Sequence, residues 1–227
     1  MSAISNRAAG PRADDPRVVR SRAAVVDAAR TLFLRNGYAG TTMEEIAALA
    51  GLTKRTVYNN FDDKEALFTQ IVANVVDYAE KFSRELREED FIVGITAANL
   101  RGTLHDLGRR LAVRIISPEV VALRRLLIGE SRAFPDLARE YFDRAPGQVI
   151  DALASGFGHL GEVRLLRVTD ARRAAAQFAY LVAGEHLDRM ILVGTAPPRE
   201  QVIECAQEGV ETFLARYEAP HDGRATE

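Results

Sequence analysis

Two short apolar-faced stretches, residues 42–50 and 53–61, lie either side of one glycine, Gly51, and this leaves few folds open to the chain. In the first stretch Thr42 stands at a helix start and Glu45 follows three residues on. That is the spacing of a capping box, in which the threonine hydroxyl takes the third helical amide and the glutamate reaches back to the cap amide. Met43, Ile46, Ala47 and Ala50 recur at helical spacing and share one face. Gly51 falls where the chain must turn through left-handed backbone, which a residue without a Cβ does cheaply. Thr53 can cap the second stretch, whose Val57 and Phe61 lie four apart and form its buried side. The pattern predicts two short helices joined by a tight turn. A long third helix follows, capped by Asp63 and starting at Lys64.

The second short helix turns Lys54, Arg55, Thr56, Tyr58, Asn59 and Asn60 outward or to its edges. Cations, amides, a hydroxyl and a phenol on one short helix are suited to phosphates and base edges. Around this segment the order is a helix ending at Phe33 and Gly37-Tyr38, then Thr41-Thr42, Ile46-Ala47, Ala50-Gly51, Thr56-Val57-Tyr58, Phe61 and Lys64-Glu65-Ala66-Leu67. Residues 20 to 70 thereby resemble the DNA-binding domain of the TetR family of bacterial repressors. The resemblance implies a helix-turn-helix that reads double-stranded operator DNA. Arg55 and Lys54 would reach base edges, where guanine offers two acceptors. Thr56 and Tyr58 would touch a thymine methyl or a phosphate. Thr42, Asn59, Asn60 and Lys64 would hold the DNA backbone, with Thr53 at the cap of the same surface. Asn60 departs from the family, which often has a histidine there; it keeps a donor but carries no charge.

Charge distribution supports this reading better than total charge does. The chain carries 30 Lys or Arg against 32 Asp or Glu, a net of −2, which alone argues against nucleic acid. Residues 1 to 60 hold nine cations and five anions, net +4; residues 61 to 227 hold twenty-one and twenty-seven, net −6. A basic end on an acidic body orients a protein toward DNA. One cysteine, Cys205, cannot form an internal disulfide, and a reducing cytoplasm is the expected location. No apolar run reaches membrane-spanning length, and residues 1–16 contain Arg7 and Arg12 but no apolar core of a secretory signal.

The remaining sequence predicts an all-α protein, because helical spacing dominates and sustained alternation is missing. The first helix is expected over about 17–35, with Val25, Ala28, Ala29, Leu32 and Phe33 on one face. The long helix should run from 64 to about 88, with Leu67, Phe68, Ile71, Val75, Tyr78, Ala79 and Phe82 inward. Further helices are expected over about 95–116, from Ser117-Pro118, from Phe134-Pro135 to 144, from Pro146 to 159, over 170–192, and from Pro197-Pro198 to 217. About ten helices result. They divide into a disordered arm (1–16), a three-helix DNA-binding domain (17–63), a ligand-binding and dimerisation domain (64–218) and a loose tail (219–227).

The run Leu123-Arg124-Arg125-Leu126-Leu127-Ile128-Gly129-Glu130-Ser131, then Phe134-Pro135-Asp136-Leu137-Ala138 and Tyr141, resembles the ligand-binding domain of AefR-like TetR regulators. That resemblance implies a homodimer through the helices at about 170–192 and 198–216, and a small-molecule effector. Independently, Phe178, Leu181, Val182, Leu187, Ile191 and Leu192, with Val202, Ile203, Val210, Phe213 and Leu214, exceed what one inward stripe needs. Gly184 and Gly209 permit close helix approach. Aromatic or polar groups amid apolar helices are candidate ligand contacts: Tyr78, Phe82, His105, Glu130, Phe134, Tyr141 and Phe178.

Other signals point nowhere. Residues 156–161 match G-x-G-x-x-G, but a helix precedes them where a nucleotide site needs a strand; they are expected to be a helix fraying into a loop. His105, His159, His186 and His221 share no metal spacing, so neither metal nor cofactor is expected. No nucleophile elbow is present, and an enzyme is disfavoured. The rival classes are an all-helical enzyme and a protein-binding adaptor that keeps the helix-turn-helix only as structure. Turnover without DNA binding would favour the first, and loss of the polar set at 54–60 the second.

Overall fold

In the computed structural model, residues 16–88 and 93–220 are described, and they contain eleven α-helices. In chain order these are α1 (Pro16–Asn36), α2 (Met43–Leu49), α3 (Lys54–Asn60), α4 (Lys64–Glu88), α5 (Leu100–Ile115), α6 (Pro118–Glu130), α7 (Pro135–Phe142), α8 (Gln148–Glu162), α9 (Ala171–Ala183), α10 (His186–Val193) and α11 (Arg199–Tyr217). The expected arm and tail fall almost wholly outside the described residues. One isolated bridge, Leu166 with Glu218, is the extended pairing among them. Two compact units divide between Ala73 and Asn74, within α4.

In the first unit α1, α2, α3 and the start of α4 close over Val25, Ala29, Phe33, Ile46, Val57, Phe61, Leu67 and Phe68, all buried. Phe33 meets the edge of Phe68 at 5.8 Å, and Tyr38 packs on both rings. The α2 start is the expected capping box: Glu45 N donates to Thr42 Oγ1 at 3.2 Å, and Thr42 N donates to Glu45 Oε2 at 2.8 Å. The α2 end is a Schellman turn, with Leu52 N on Ala47 O and Gly51 N on Ala48 O. Gly51 has φ +66°, the left-handed value that this turn demands.

The second unit centres on α5, α8, α9 and α11. Phe157, Phe178 and Phe213, all fully buried, form a triad with centroids 5.0–5.3 Å apart. Gly209 lets α11 press on α9, since a Cβ there would collide with the Leu181 carbonyl. That close approach lies inside one chain.

Several expected boundaries shift for local reasons. The helix at 95–116 starts only at Leu100, because Asn99 closes a turn before it, accepting from Thr96 N at 2.7 Å and donating to Gly94 O at 3.0 Å. The break expected near Pro146 is a π-helical turn, Asp143–Gly147, that joins α7 to α8. The G-x-G-x-x-G residues lie inside α8, which holds its backbone bonds to Glu162. The helix expected over 170–192 is two helices. Gly184, φ +53° and ψ −151°, breaks it, and apolar spacing runs on across the break, so periodicity alone hides it. On α4 the expected Leu67, Phe68, Ile71 and Phe82 are buried, and so are Val72 and Val76; Val75 and Ala79 are half-buried, and Tyr78 is 50% exposed.

Candidate nucleic-acid interface and effector cleft

The expected DNA-facing residues separate into two groups. Arg55 and Asn59 are exposed on α3 and have no hydrogen-bond or ion-pair partner among the described residues. Tyr58 is 42% exposed beside them. Lys54 is exposed too, but its ammonium pairs with Glu44 of α2. That hydrogen bond holds the Glu44 carboxyl below its ordinary range and raises the Lys54 ammonium above its own. Glu44 offsets the charge that Lys54 brings to a phosphate or base, and two of the three ammonium donors stay open to solvent. Thr56 is half-buried, its hydroxyl 2.8 Å from that of Thr53.

The second group holds the fold. Thr42 and Thr53 cap α2 and α3 with their hydroxyls. Asn60 turns inward; its amide donates to Thr56 O at 2.8 Å and to Ser21 Oγ at 3.4 Å. Lys64, expected on a phosphate, donates to Tyr38 O and Thr41 O, both at 2.8 Å, and lies 4.4 Å from the Tyr38 ring centroid. Two of its three donors therefore bind the loop before α2.

Arg22 belongs with this group and was not legible as such. Its guanidinium donates to Asn60 O at 2.8 Å and Gln70 Oε1 at 2.9 Å, and stacks 4.1 Å over Phe61. It ties the end of α3 to α1 and α4. Its partners lie 38 and 48 residues away, beyond any local pattern.

The second unit contains an apolar cleft partly open to solvent; the space within it, its solvent-filled mouth included, is about 760 Å³. Tyr78 and Phe82 of α4 line it, as does Tyr141 of α7, three of the expected seven. Small residues make the room: Ala79, Ala145, Ala179 and Ala183. Arg114 of α5, Arg124 of α6 and Tyr180 of α9 also line it, and sequence reasoning missed all three. Ala179 and Ala183, one helical turn apart, were a readable signal of a face left low.

The other four expected ligand residues lie elsewhere. His105 faces α11, with Nε2 2.8 Å from Glu211 Oε1, and this contact is the main reason the Glu211 carboxyl titrates below its ordinary range. Phe178 is fully buried in the aromatic triad. Glu130 ends α6 and Phe134 precedes α7; neither lines the cleft. A polar or aromatic residue amid apolar helices is as readily a core or rim residue as a ligand contact.

A capped short helix, a left-handed glycine turn and a second short helix with free outward donors define a helix-turn-helix DNA-binding regulator. Residues 25–71 match the family model for bacterial regulatory proteins of the tetR family, and residues 102–219 match that for the AefR-like transcriptional repressor C-terminal domain. The chain belongs to the TetR family.

A solved TetR-family transcriptional regulator from Mesorhizobium loti is 28% identical, with TM-score 0.77, over 90% of this chain and 100% of that one. The flavonoid-responsive regulator FrrA is 33% identical, with TM-score 0.63, over 91% of this chain and 100% of that one. The biofilm operon negative regulator IcaR of Staphylococcus aureus is 39% identical over 54 residues, 24% of this chain. That match spans 29% of IcaR's own length. The chain is a DNA-binding transcriptional regulator, and regulators of this family are not normally enzymes. Among the described residues no helix is long and apolar enough to cross a membrane.

Proposed function

We propose that this protein is a homodimeric repressor of transcription, released from a near-palindromic operator when a small molecule occupies the apolar cleft. The observation that carries the reading is α4. This single 25-residue helix, ~37 Å long at 1.5 Å per residue, begins beside α3 at Lys64 and presents Tyr78 and Phe82 to the cleft. A ligand bearing on those rings would move the helix that anchors the DNA-reading unit. The names of IcaR, a negative regulator, and FrrA, a flavonoid-responsive one, support repression and small-molecule control. Tyr180, 59% exposed, and Leu192, 79% exposed, leave apolar surface on the helices expected to pair with a second copy. Such a protein acts in the cytoplasm, where bacterial DNA lies.

The test starts from duplexes selected out of a random pool by the purified protein. Footprinting on the selected sequence should show two half-sites about one helical turn apart, ~34–36 Å, or a multiple of it. A monomer protecting one isolated half-site would overturn the reading. Coupling must be reciprocal: a ligand that weakens operator binding about tenfold must bind the operator complex about tenfold more weakly. Equal ligand affinities with and without operator would reject induction through the cleft.

A further inference from the structure

We infer that the cleft selects an acidic ligand: a flat apolar body carrying one anionic group, a carboxylate, sulfonate or ionised phenol, that Arg114 and Arg124 hold. This rests on the reading that the cleft is the effector site. Three observations support it.

First, Arg114 is held in place but not used up. Its guanidinium lies 4.1 Å over the Phe82 ring, and Nη2 donates to Glu85 at 3.2 Å. Its Nε is buried and has no partner among the described residues. A donor on a charged group left dry is costly, and a ligand acceptor that reaches it recovers that cost. Second, Arg124 lines the same cleft and has no ion pair or hydrogen bond among the described residues. None of the described lining residues is acidic. Glu85 offsets one cation outside the lining, so a positive charge is left facing apolar walls, where water screens it least. Third, Tyr141, 6% exposed, lines the cleft, and its hydroxyl has no hydrogen-bond partner among the described residues. The phenol supplies a neutral donor in the same cleft.

The walls set the rest of the ligand. Phe82, Leu111, Ile115 and Ile150 are apolar, and the four alanines keep the space between them open. Phe82 is occupied on one face by the guanidinium, so an aromatic body continues an existing stack. A cationic ligand would meet two like charges and no carboxylate.

The experiment uses the full chain and two dyes that share one framework. 8-Anilinonaphthalene-1-sulfonate carries the anion, and N-phenyl-1-naphthylamine lacks it. Fluorescence titration should show the sulfonate binding at least about tenfold more tightly, as a charge-assisted hydrogen bond implies. Arg114→Met keeps an aliphatic stem against Phe82, and Arg124→Met does the same for its helix. Each should remove most of that preference and leave the neutral dye within about twofold, because only the anion's partner is lost. Ala79→Trp fills the cleft and should abolish both signals.

Equal affinities for the two dyes in the unaltered chain would overturn the inference. So would a preference that survives both arginine variants, or sulfonate binding that survives Ala79→Trp. Displacement of operator duplex is scored separately. A dye that shows the arginine-dependent preference and does not release DNA upholds the acidic selectivity and rejects the induction reading.

Discussion

The two units of this chain finish their packing to different degrees. In the first, side chains that could project freely are tied back as struts: Arg22, though exposed, over Phe61, Lys64 onto two carbonyls, Asn60 onto Thr56 and Ser21. Only Arg55, Tyr58 and Asn59 are left plainly outward on α3, with Lys54 held by Glu44. The second unit packs an aromatic triad yet leaves a cleft beside it, with a buried Arg114 nitrogen unmet. A reading head must hold a few donors to within a fraction of an ångström, so its spare groups go into rigidity. On the effector reading proposed above, the second unit keeps room for a ligand to fill. The contrast predicts where substitutions cost stability and where they cost recognition.

The largest effect should come from Phe61. It is 5% exposed and carries the stacked Arg22 guanidinium. Truncating a buried phenylalanine costs ~3–5 kcal/mol, a large share of a small domain's stability. Phe61→Ala should therefore lose stability in denaturant melts and lose DNA binding with it. A variant that keeps its melting temperature and loses only DNA affinity would place Phe61 on the DNA and break the comparison.

Lys64 and Arg55 sharpen it. Both are cations of the first unit, and the sequence alone treats them as two DNA contacts. The structure gives Lys64 two carbonyl partners and Arg55 none among the described residues. Lys64→Met should cost about 2–3 kcal/mol of stability, as loss of charged hydrogen bonds does. Arg55→Ala should leave the melt unchanged and remove about 1–3 kcal/mol of discrimination at one base position per half-site. Melts and binding to single-base operator variants separate the two. If Lys64→Met melts like the parent chain and merely lowers the salt slope, its ammonium serves phosphate.

These differences mark what the sequence can show. The caps, the glycine turn and the buried pair Val57 and Phe61 are local, each spanning no more than five residues, so a linear reading recovers α2 and α3 nearly to the residue. The outward set is legible for the same reason, since helical phase alone exposes Arg55 and Asn59. What fails is long-range choice. Nothing near Lys64 says that its ammonium reaches Tyr38 O, 26 residues away, and nothing near Arg22 says that it reaches Asn60. The cleft fails for a second reason: it is defined by missing volume. Aromatic and polar residues draw attention, whereas Ala145, Ala179 and Ala183 make the space. His105 and Phe178 were attractive by type, yet they lie on the α5–α11 face and in the core. The break at Gly184 escaped because the apolar period continues across it.

The smallest effect concerns the capping box, and it carries a pH signature. Thr42 hydrogen-bonds the Glu45 carboxylate from its hydroxyl and its backbone amide, both at 2.8 Å, and these contacts hold the Glu45 carboxyl below its ordinary value of 4.5. A carboxyl whose pKa falls on folding stabilises the fold above its unfolded pKa. That contribution is lost as pH falls through the lower, folded value. The Thr42 hydroxyl also accepts from Glu45 N, and that bond does not titrate. Thr42→Ala should therefore lower stability at neutral pH by ~1 kcal/mol, the usual cost of a lost threonine cap. The gap between the two chains should narrow, without closing, as pH drops below 4.5. Glu45→Gln provides the control, since its amide can still reach back to the Thr42 amide but does not titrate there. Its gap to the unaltered chain should shrink over the same acid range and by more than the Thr42→Ala gap does, because Thr42→Ala keeps the carboxylate's bond from the backbone amide. Thermal melts from pH 7 downward measure all three. A Thr42→Ala gap that is constant with pH would mean that the hydroxyl's bond to the carboxylate adds nothing, and that the hydroxyl stabilises the helix start only by accepting from Glu45 N.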